Sequence, residues 1–243
     1  MSNDGKFYDR WTRLMFHCDA LPSASNNQGN QDLTNVNSGV NILLDNANYK
    51  FGGGAIKNNA VTTYVGITGN VTSLNLGAGE FTFESWVYCT TANSFPAFFY
   101  SQQAGPTWYI ARYPTSGEFY VQFNGADKIK LGFIPLNQWV HIAWVRWNGK
   151  STAYINGVAA GSVADASLYN FNGGSPSLVI AAQLGASSIF NMDEIRISNT
   201  ARWIGNFIPP SAPYGDLIFG TIPQGTPLRC QNHARYLPNY GKL

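Results

Sequence analysis

Between Trp139 and Trp147 the chain alternates in two interleaved sets. Trp139, His141, Ala143, Val145 and Trp147 fall on one side of an extended backbone. Val140, Ile142, Trp144 and Arg146 fall on the other, because successive strand side chains point to opposite faces. Both sets are largely apolar, so the pattern predicts a central strand covered over most of its length. Asn148-Gly149 suits a tight turn with positive φ. Thr152–Ile155 reads as a second strand, Asn156-Gly157 as another turn, and Val158–Val163 as a third strand. The segment is predicted to be a β-meander.

The same grammar runs through most of the chain. In EFTFESWVYC (80–89), Phe81, Phe83, Ser85 and Val87 alternate with Thr82, Glu84, Trp86 and Tyr88. AFFYSQ, TWYIAR, EFYVQF, KIKLGF, SLVIAA and NMDEIRIS are short, rich in β-formers and bounded by Gly, Pro, Asn or Ser. Residues 60–67 (AVTTYVGI) form a further expected strand. Such spacing, roughly 8–12 residues, is that of β-sandwiches. No helical periodicity of useful length is present, and only NTARWIG (199–205) suggests a helical turn. Residues 20–41 are polar and rich in Asn and Gln, and read as a long ordered excursion or a paired edge segment. Residues 1–13 read as an N-terminal arm, 14–214 as the sandwich, and 215–243, broken throughout by Pro and Gly, as an extended C-terminal tail. There is no internal repeat.

Composition narrows the class. The 243 residues suit one all-β sandwich. Charged residues make up 12% and aromatics 14%, with 25 glycines, which argues against a coiled coil or a disordered chain. A net charge of +2 gives no electrostatic reason to expect nucleic acid. No apolar run reaches the ~18–20 residues of a membrane span. MSNDGKFYDRWTR lacks the apolar core of a secretion signal, so synthesis in a cytoplasm is expected. The three cysteines, Cys18, Cys89 and Cys230, are far apart in sequence and read as free thiols.

FTFESWVY, WVHIAWVRWNGKSTAYINGV, MDEIRISNTARW and FIPPSAPY, in that order, resemble the signatures of laminin G-like, concanavalin A-like jelly-roll domains, in the style found in bacteriophage structural proteins. FGGGAIKNNAVTTYVGI (51–67) resembles the Gly-rich strand of that family and the strand after it. LMFHCDA (14–20) resembles its first strand. The resemblance covers about residues 14–214. It implies an all-β jelly-roll sandwich with extended arms. It is specific for fold and says little of function, since this fold hosts lectins, glycosidases, adhesion modules and scaffolds.

Glycosidases need two carboxylates flanking the scissile bond at a set distance. Asp193 and Glu194 are adjacent and so are expected on opposite faces, while Glu84 stands alone on its strand. No G-x-S-x-G elbow is present, and His141, one of three histidines, reads as a half-buried packing residue. No enzyme activity is expected. The resemblance places family carboxylates at Asp19 and Asp193, which makes them candidate ligands of a structural Ca²⁺; no other cofactor is expected. For carbohydrate, stacking rings beside amides and charged groups are wanted. Trp108, Tyr109, Tyr113, Gln102 and Arg112 are the candidate patch, although either Trp108 or Tyr109 must face the core. Trp144 reads as core, and Trp139 and Trp147 as packed under loops. In the tail, Phe219, Ile222, Arg229, Arg235, Tyr236 and Tyr240 are candidate partner contacts.

The resemblance therefore implies a non-enzymatic virion protein of a bacteriophage, made in the host cytoplasm. It would be a capsid decoration or a tail or fibre component, docked on neighbouring virion subunits. Host glycan and a second copy of the chain are further candidate partners. The alternative is a lectin-type receptor-binding module whose first task is to hold a cell-surface glycan.

Overall fold

The computed structural model describes residues 11–29, 35–60, 62–68, 74–92, 95–101, 108–123, 126–169, 178–183 and 189–215. Fifteen strands occur among them. The first five are β1 (Thr12–Phe16), β2 (Asn35–Ser38), β3 (Ile42–Asp45), β4 (Ala55–Asn58) and β5 (Val65–Thr68). The next five are β6 (Phe81–Cys89), β7 (Pro96–Ser101), β8 (Trp108–Arg112), β9 (Glu118–Phe123) and β10 (Ala126–Phe133). The last five are β11 (Trp139–Trp147), β12 (Lys150–Ile155), β13 (Val158–Ala164), β14 (Leu178–Gln183) and β15 (Phe190–Ser198). The expected meander is β11–β12–β13. Its Asn-Gly turns have positive φ at both central residues, 48° and 67° for Asn148-Gly149 and 47° and 77° for Asn156-Gly157. Asn and Gly tolerate that backbone best.

The strands build two antiparallel sheets. The first runs β13-β12-β11-β6-β15-β4-β3, with β1 also paired to β15; the second runs β10-β9-β8-β7-β14-β5-β2. β11 is central, as its two apolar faces require. Between the sheets lies one core in which Val140, Ile142 and Trp144 meet Phe81, Phe83 and Val87 of β6 and Trp108, Ile110, Phe119 and Val121 of the second sheet. Trp144 is fully buried. Its ring centroid lies 4.6 Å from Phe81, 5.4 Å from Trp108 and 5.3 Å from Tyr169, a contact set that spans both sheets. Cys18 and Cys89 are buried free thiols; Cys230 lies outside the described residues.

β15 carries a bulge. Its register against β6 shifts between Asp193 and Arg196, and Glu194 has φ 50°. Residues 190–192 pair with β4, whereas 195–198 pair with β1. One extra residue thus lets a single strand serve two neighbours.

Several expectations shift. The strand expected over 60–67 is confined to Val65–Thr68, and the first strand starts at Thr12. Within the stretch 20–41 the described residues contain a short 3-10 turn at Ala24–Asn26 and the edge strand β2, which pairs with β5. Residues 199–205 form bends rather than a helical turn. They continue as an irregular strap to Tyr214, because their donors and carbonyls are taken by the sheet beneath: the Arg202 amide donates to Thr82 Oγ1 at 2.9 Å, and Thr82 Oγ1 donates to the Thr200 carbonyl at 2.8 Å.

Candidate functional site

The outward face of the first sheet is a buried polar network. Glu84, on β6, has no exposure. Its Oε1 accepts from Arg196 Nε and Nη2 at 2.8 and 2.7 Å, and its Oε2 accepts from Trp203 Nε1 at 2.9 Å. His141 Nε2 lies 3.0 Å from the Tyr214 hydroxyl and 3.5 Å from Glu84 Oε2. The Tyr214 amide donates to Glu194 Oε2 at 2.6 Å, Glu194 Oε1 lies 2.8 Å from His17 Nδ1, and Arg196 stacks on the Tyr214 ring at 3.9 Å. Burial works against the Glu84 charge. The Arg196 guanidinium, His141 and Arg202 outweigh it and hold the carboxyl well below the usual range.

Asp193 is held differently. Its Oδ2 accepts from the amides of Lys50 and Phe51 at 2.8 and 3.0 Å, and its Oδ1 from the Glu194 amide at 2.8 Å. Burial pushes its carboxyl up to about 7 against the pull of those amides, and the Glu194 carboxylate adds to the rise. Asp193 and Glu194 were expected on opposite faces. The bulge changes that: both carboxylates are received by segments lying over the outer face, residues 50–51 and Tyr214.

Asp19 and Asp193, the candidate cation ligands, both accept backbone amides. Asp19 Oδ1 accepts from the amides of Gly53 and Gly54 at 2.5 and 3.2 Å, so the two aspartates grip opposite ends of the 50–54 loop. N–H donors point at oxygens that Ca²⁺ would need as ligands. Gly52, with φ 63°, is required there because a Cβ would collide with the Asp19 carboxylate. No cluster of three or more His, Cys, Asp or Glu able to hold a metal occurs among the described residues.

The outward face of the second sheet has another character. Strand registers set side chains in rows across it. One row runs Tyr120, Ala111, Ala97, Ala182, and the next runs Gln122, Tyr109, Tyr100, Val179. The alanines and Val179 are buried, while Tyr64, Phe95, Tyr100, Tyr109 and Tyr113 are half-buried around them. Small residues in one row leave room for rings of the next to lean over them. Tyr109 packs edge-on to Phe95 at 5.5 Å and tilted against Tyr120 at 5.3 Å, and Tyr113 packs edge-on to Tyr120 at 5.5 Å. The 46–51 loop and the 199–214 strap lie over the opposite face, that of the first sheet.

The structure thus brings together part of the expected carbohydrate patch. Tyr109 and Tyr113 lie on it. Trp108 does not: it is 3% exposed and packed on Phe83 and Trp144, because alternation sends it inward when Tyr109 points out. Arg112 also turns inward, donating to the carbonyls of Ile134 at 3.0 Å and Ala92 at 2.9 Å. Gln102 and the tail candidates Phe219, Ile222, Arg229, Arg235, Tyr236 and Tyr240 lie outside the described residues. His141 is fully rather than half buried. Trp139 packs under a loop as expected, donating to Asn48 Oδ1 at 3.2 Å. Trp147 is 45% exposed and does not. Tyr100, Tyr120, Phe95 and Tyr64 escaped sequence reading. The alternation in AFFYS and EFYVQF could have placed Tyr100 and Tyr120 outward, but only the pairing of β7, β8 and β9 sets them beside Tyr109.

Residues 58–203, more than half of the chain, match the concanavalin A-like lectin/glucanases superfamily. No curated protein matches the sequence. Among solved structures, the binding domain of Paraclostridial mosquitocidal protein 1 is similar at 15% identity and TM-score 0.62, over 79% of this chain and 49% of that one. The binding domain of botulinum neurotoxin DC, solved with rat synaptotagmin II, is similar at 13% identity and TM-score 0.59, over 78% of this chain and 48% of that one. Domain 4 of an extracellular GH43 arabinanase from Geobacillus stearothermophilus, solved with arabinotriose, is similar at 16% identity and TM-score 0.57, over 79% of this chain and 94% of that one. The chain spans about half the length of the toxin binding domains. At these identities the likeness is one of fold.

Proposed function

The chain belongs to the concanavalin A-like lectin/glucanases superfamily, and on that premise we propose that it is a non-enzymatic binding module that holds a glycan on the outer face of its second sheet. The observation that carries this reading is the half-buried patch of Phe95, Tyr100, Tyr109 and Tyr113. Rings of this kind stack on the apolar faces of sugars, and their hydroxyls meet sugar hydroxyls. The absence of catalysis is supported by the state of the carboxylates. Glu84, Asp193 and Glu194 are each at most 1% exposed and already engaged by Arg196, Trp203, backbone amides and Tyr214. A general acid and base must reach the scissile bond and a water.

The finer reading sets the domain in a bacteriophage particle, as a capsid decoration or a tail or fibre component. It is supported by the ordered motifs of residues 14–214. In that setting Phe219, Ile222, Arg229, Arg235, Tyr236 and Tyr240 would dock on neighbouring virion subunits, with the tyrosine face turned outward.

The test of the glycan site is binding to an array of immobilised glycans by the full chain and by Tyr109→Ala, Tyr100→Ala and Trp108→Ala. Loss of signal in the first two with unchanged melting temperature is expected. Equal signal from all variants would remove the second sheet from the reading.

A further inference from the structure

We infer that Asn148-Gly149, at the tip of the β11–β12 hairpin, is a site of spontaneous covalent modification that converts with age to aspartate and isoaspartate. Asn156-Gly157, the same dipeptide in the same kind of turn, is protected. Neither statement depends on the glycan site.

The reaction needs only water and a solvent base. The Gly149 backbone nitrogen gives up its proton and attacks Cγ of Asn148. A C–N bond forms, the side-chain amide nitrogen leaves as ammonia, and a five-membered succinimide remains. Water then adds at one of its two carbonyls. One opening yields aspartate on the original backbone. The other yields isoaspartate, with one additional methylene in the main chain. Glycine favours the attack because it has no Cβ to crowd the nitrogen and rotates most freely. The fold controls whether the side chain can swing and the peptide can turn.

The two turns have nearly the same backbone, φ 48° and 67° against 47° and 77°, so backbone shape does not tell them apart. Their surroundings do. Asn148 and Gly149 are exposed, as are Trp147 and Lys150 on either side. The Asn148 side chain makes no hydrogen bond among the described residues. No described atom beyond its chain neighbours comes within 4 Å of the place a Gly149 Cβ would take. At the other turn, Asn156 Oδ1 accepts from the His141 amide at 2.9 Å, and the Asn156 amide donates to the His141 carbonyl at 2.8 Å. Gly157 is buried, its carbonyl accepts from the Phe207 amide at 2.9 Å, and a Cβ there would collide with the Phe207 carbonyl. Ring closure at 156 must therefore free a held side chain and push Gly157 against the strap. At 148 it meets neither obstacle.

The change at 148 reaches inward. The Gly149 carbonyl accepts from the Asp165 amide at 2.8 Å. Asp165 Oδ2 in turn receives Ser151 Oγ and the Tyr169 hydroxyl, and Tyr169 packs on Trp144 at 5.3 Å. An aspartate at 148 keeps the two-residue loop that sets Trp147 opposite Lys150. An isoaspartate lengthens that loop, and loop length fixes hairpin register, so it pulls the Gly149 carbonyl away from Asp165.

The test is incubation of the full chain in mildly alkaline buffer, followed over time by peptide mapping that separates each Asn-Gly pair and distinguishes aspartate from isoaspartate. Conversion at Asn148 is expected to outrun that at Asn156 by at least about tenfold, equivalent to ~1.4 kcal/mol in barrier. In urea-unfolded protein the two rates should converge. Equal rates in the folded protein, or an Asn148 that converts only when unfolded, would overturn the assignment. A preference that persists in urea would also overturn it, by placing the cause in local sequence. The fraction with isoaspartate at 148 should melt below the parent protein, whereas Asn148→Asp should melt with it. An isoaspartate fraction that melts like the parent would overturn the link from this turn to the core.

Discussion

At the scale of single residues, two carboxylates buried on the same sheet face behave oppositely with pH. Glu84 is held below its ordinary value by Arg196, His141 and Arg202 despite burial, so it is ionised in the folded state before it is in the unfolded one. Its contribution is complete above the unfolded value of 4.5 and is lost as pH falls below it. Asp193 is pushed up to about 7 by burial. Between 3.8 and about 7 the unfolded chain is ionised there while the folded chain keeps its proton. This site therefore erodes stability as pH rises through that window. Urea titrations of Asp193→Asn should show a flatter pH profile over the window than the parent protein. Glu84→Ala leaves Arg196 and the Trp203 indole without their acceptor and should cost ~3–5 kcal/mol at neutral pH. Trp108 and Tyr109, one position apart, should separate function from stability. Trp108→Ala should lower the urea midpoint through a core cavity worth ~3–5 kcal/mol, while Tyr109→Ala should cost binding and little stability.

At the scale of elements, the strap from 199 to 214 decides which sheet face is available. It is pinned at one end by Arg202, whose Nη2 donates to Thr12 Oγ1 at 2.8 Å, and at the other by Tyr214. Midway, the Phe207 amide donates to the Gly157 carbonyl at 2.9 Å, and a Cβ on Gly157 would collide with the Phe207 carbonyl. Gly157→Ala also strains a backbone at φ 77°, a cost of roughly 1–2 kcal/mol. The strap should lift before the sandwich opens. Trypsin cleavage after Arg202, followed by mass spectrometry, is expected to accelerate in Gly157→Ala at a temperature where circular dichroism is unchanged. Cleavage at the parental rate would mean that the turn does not hold the strap. Strands such as β6 and β11 were legible because their side chains alternate over their length, whereas β3 was not expected. The strap was not legible, since its bends are fixed by sheet residues more than a hundred positions earlier, such as Thr82 and Glu84, rather than by local periodicity.

At the scale of the whole molecule, the two sheets share one aromatic core and differ in what their outward faces offer. Trp144 touches rings from both sheets, so its loss should be felt globally: Trp144→Ala is expected to reduce stability by ~3–5 kcal/mol in a single cooperative urea transition monitored by far-UV dichroism and fluorescence together. A split transition would show that the sheets unfold separately. One outward face is sealed by the chain's own loop and strap around buried ion pairs. The other carries half-buried tyrosines on small residues, and it is the face on which the glycan site is proposed.

The sequence by itself determined the class of fold, the meander, the identity of the core tryptophan and the positions of the Asn-Gly turns. These depend on a period of two and on the φ that a residue can adopt, both local properties. It also put Tyr109 and Tyr113 among the candidate residues, but left open whether Tyr109 or Trp108 faced outward. Which strands became neighbours was decided only in three dimensions. That pairing set Tyr100 and Tyr120 beside Tyr109, turned Arg112 inward to two distant carbonyls, and placed Asp193 and Glu194 under separate covering segments by a single bulge. Alternation gives two faces and does not say which is covered; the cover comes from contacts between residues far apart in the chain.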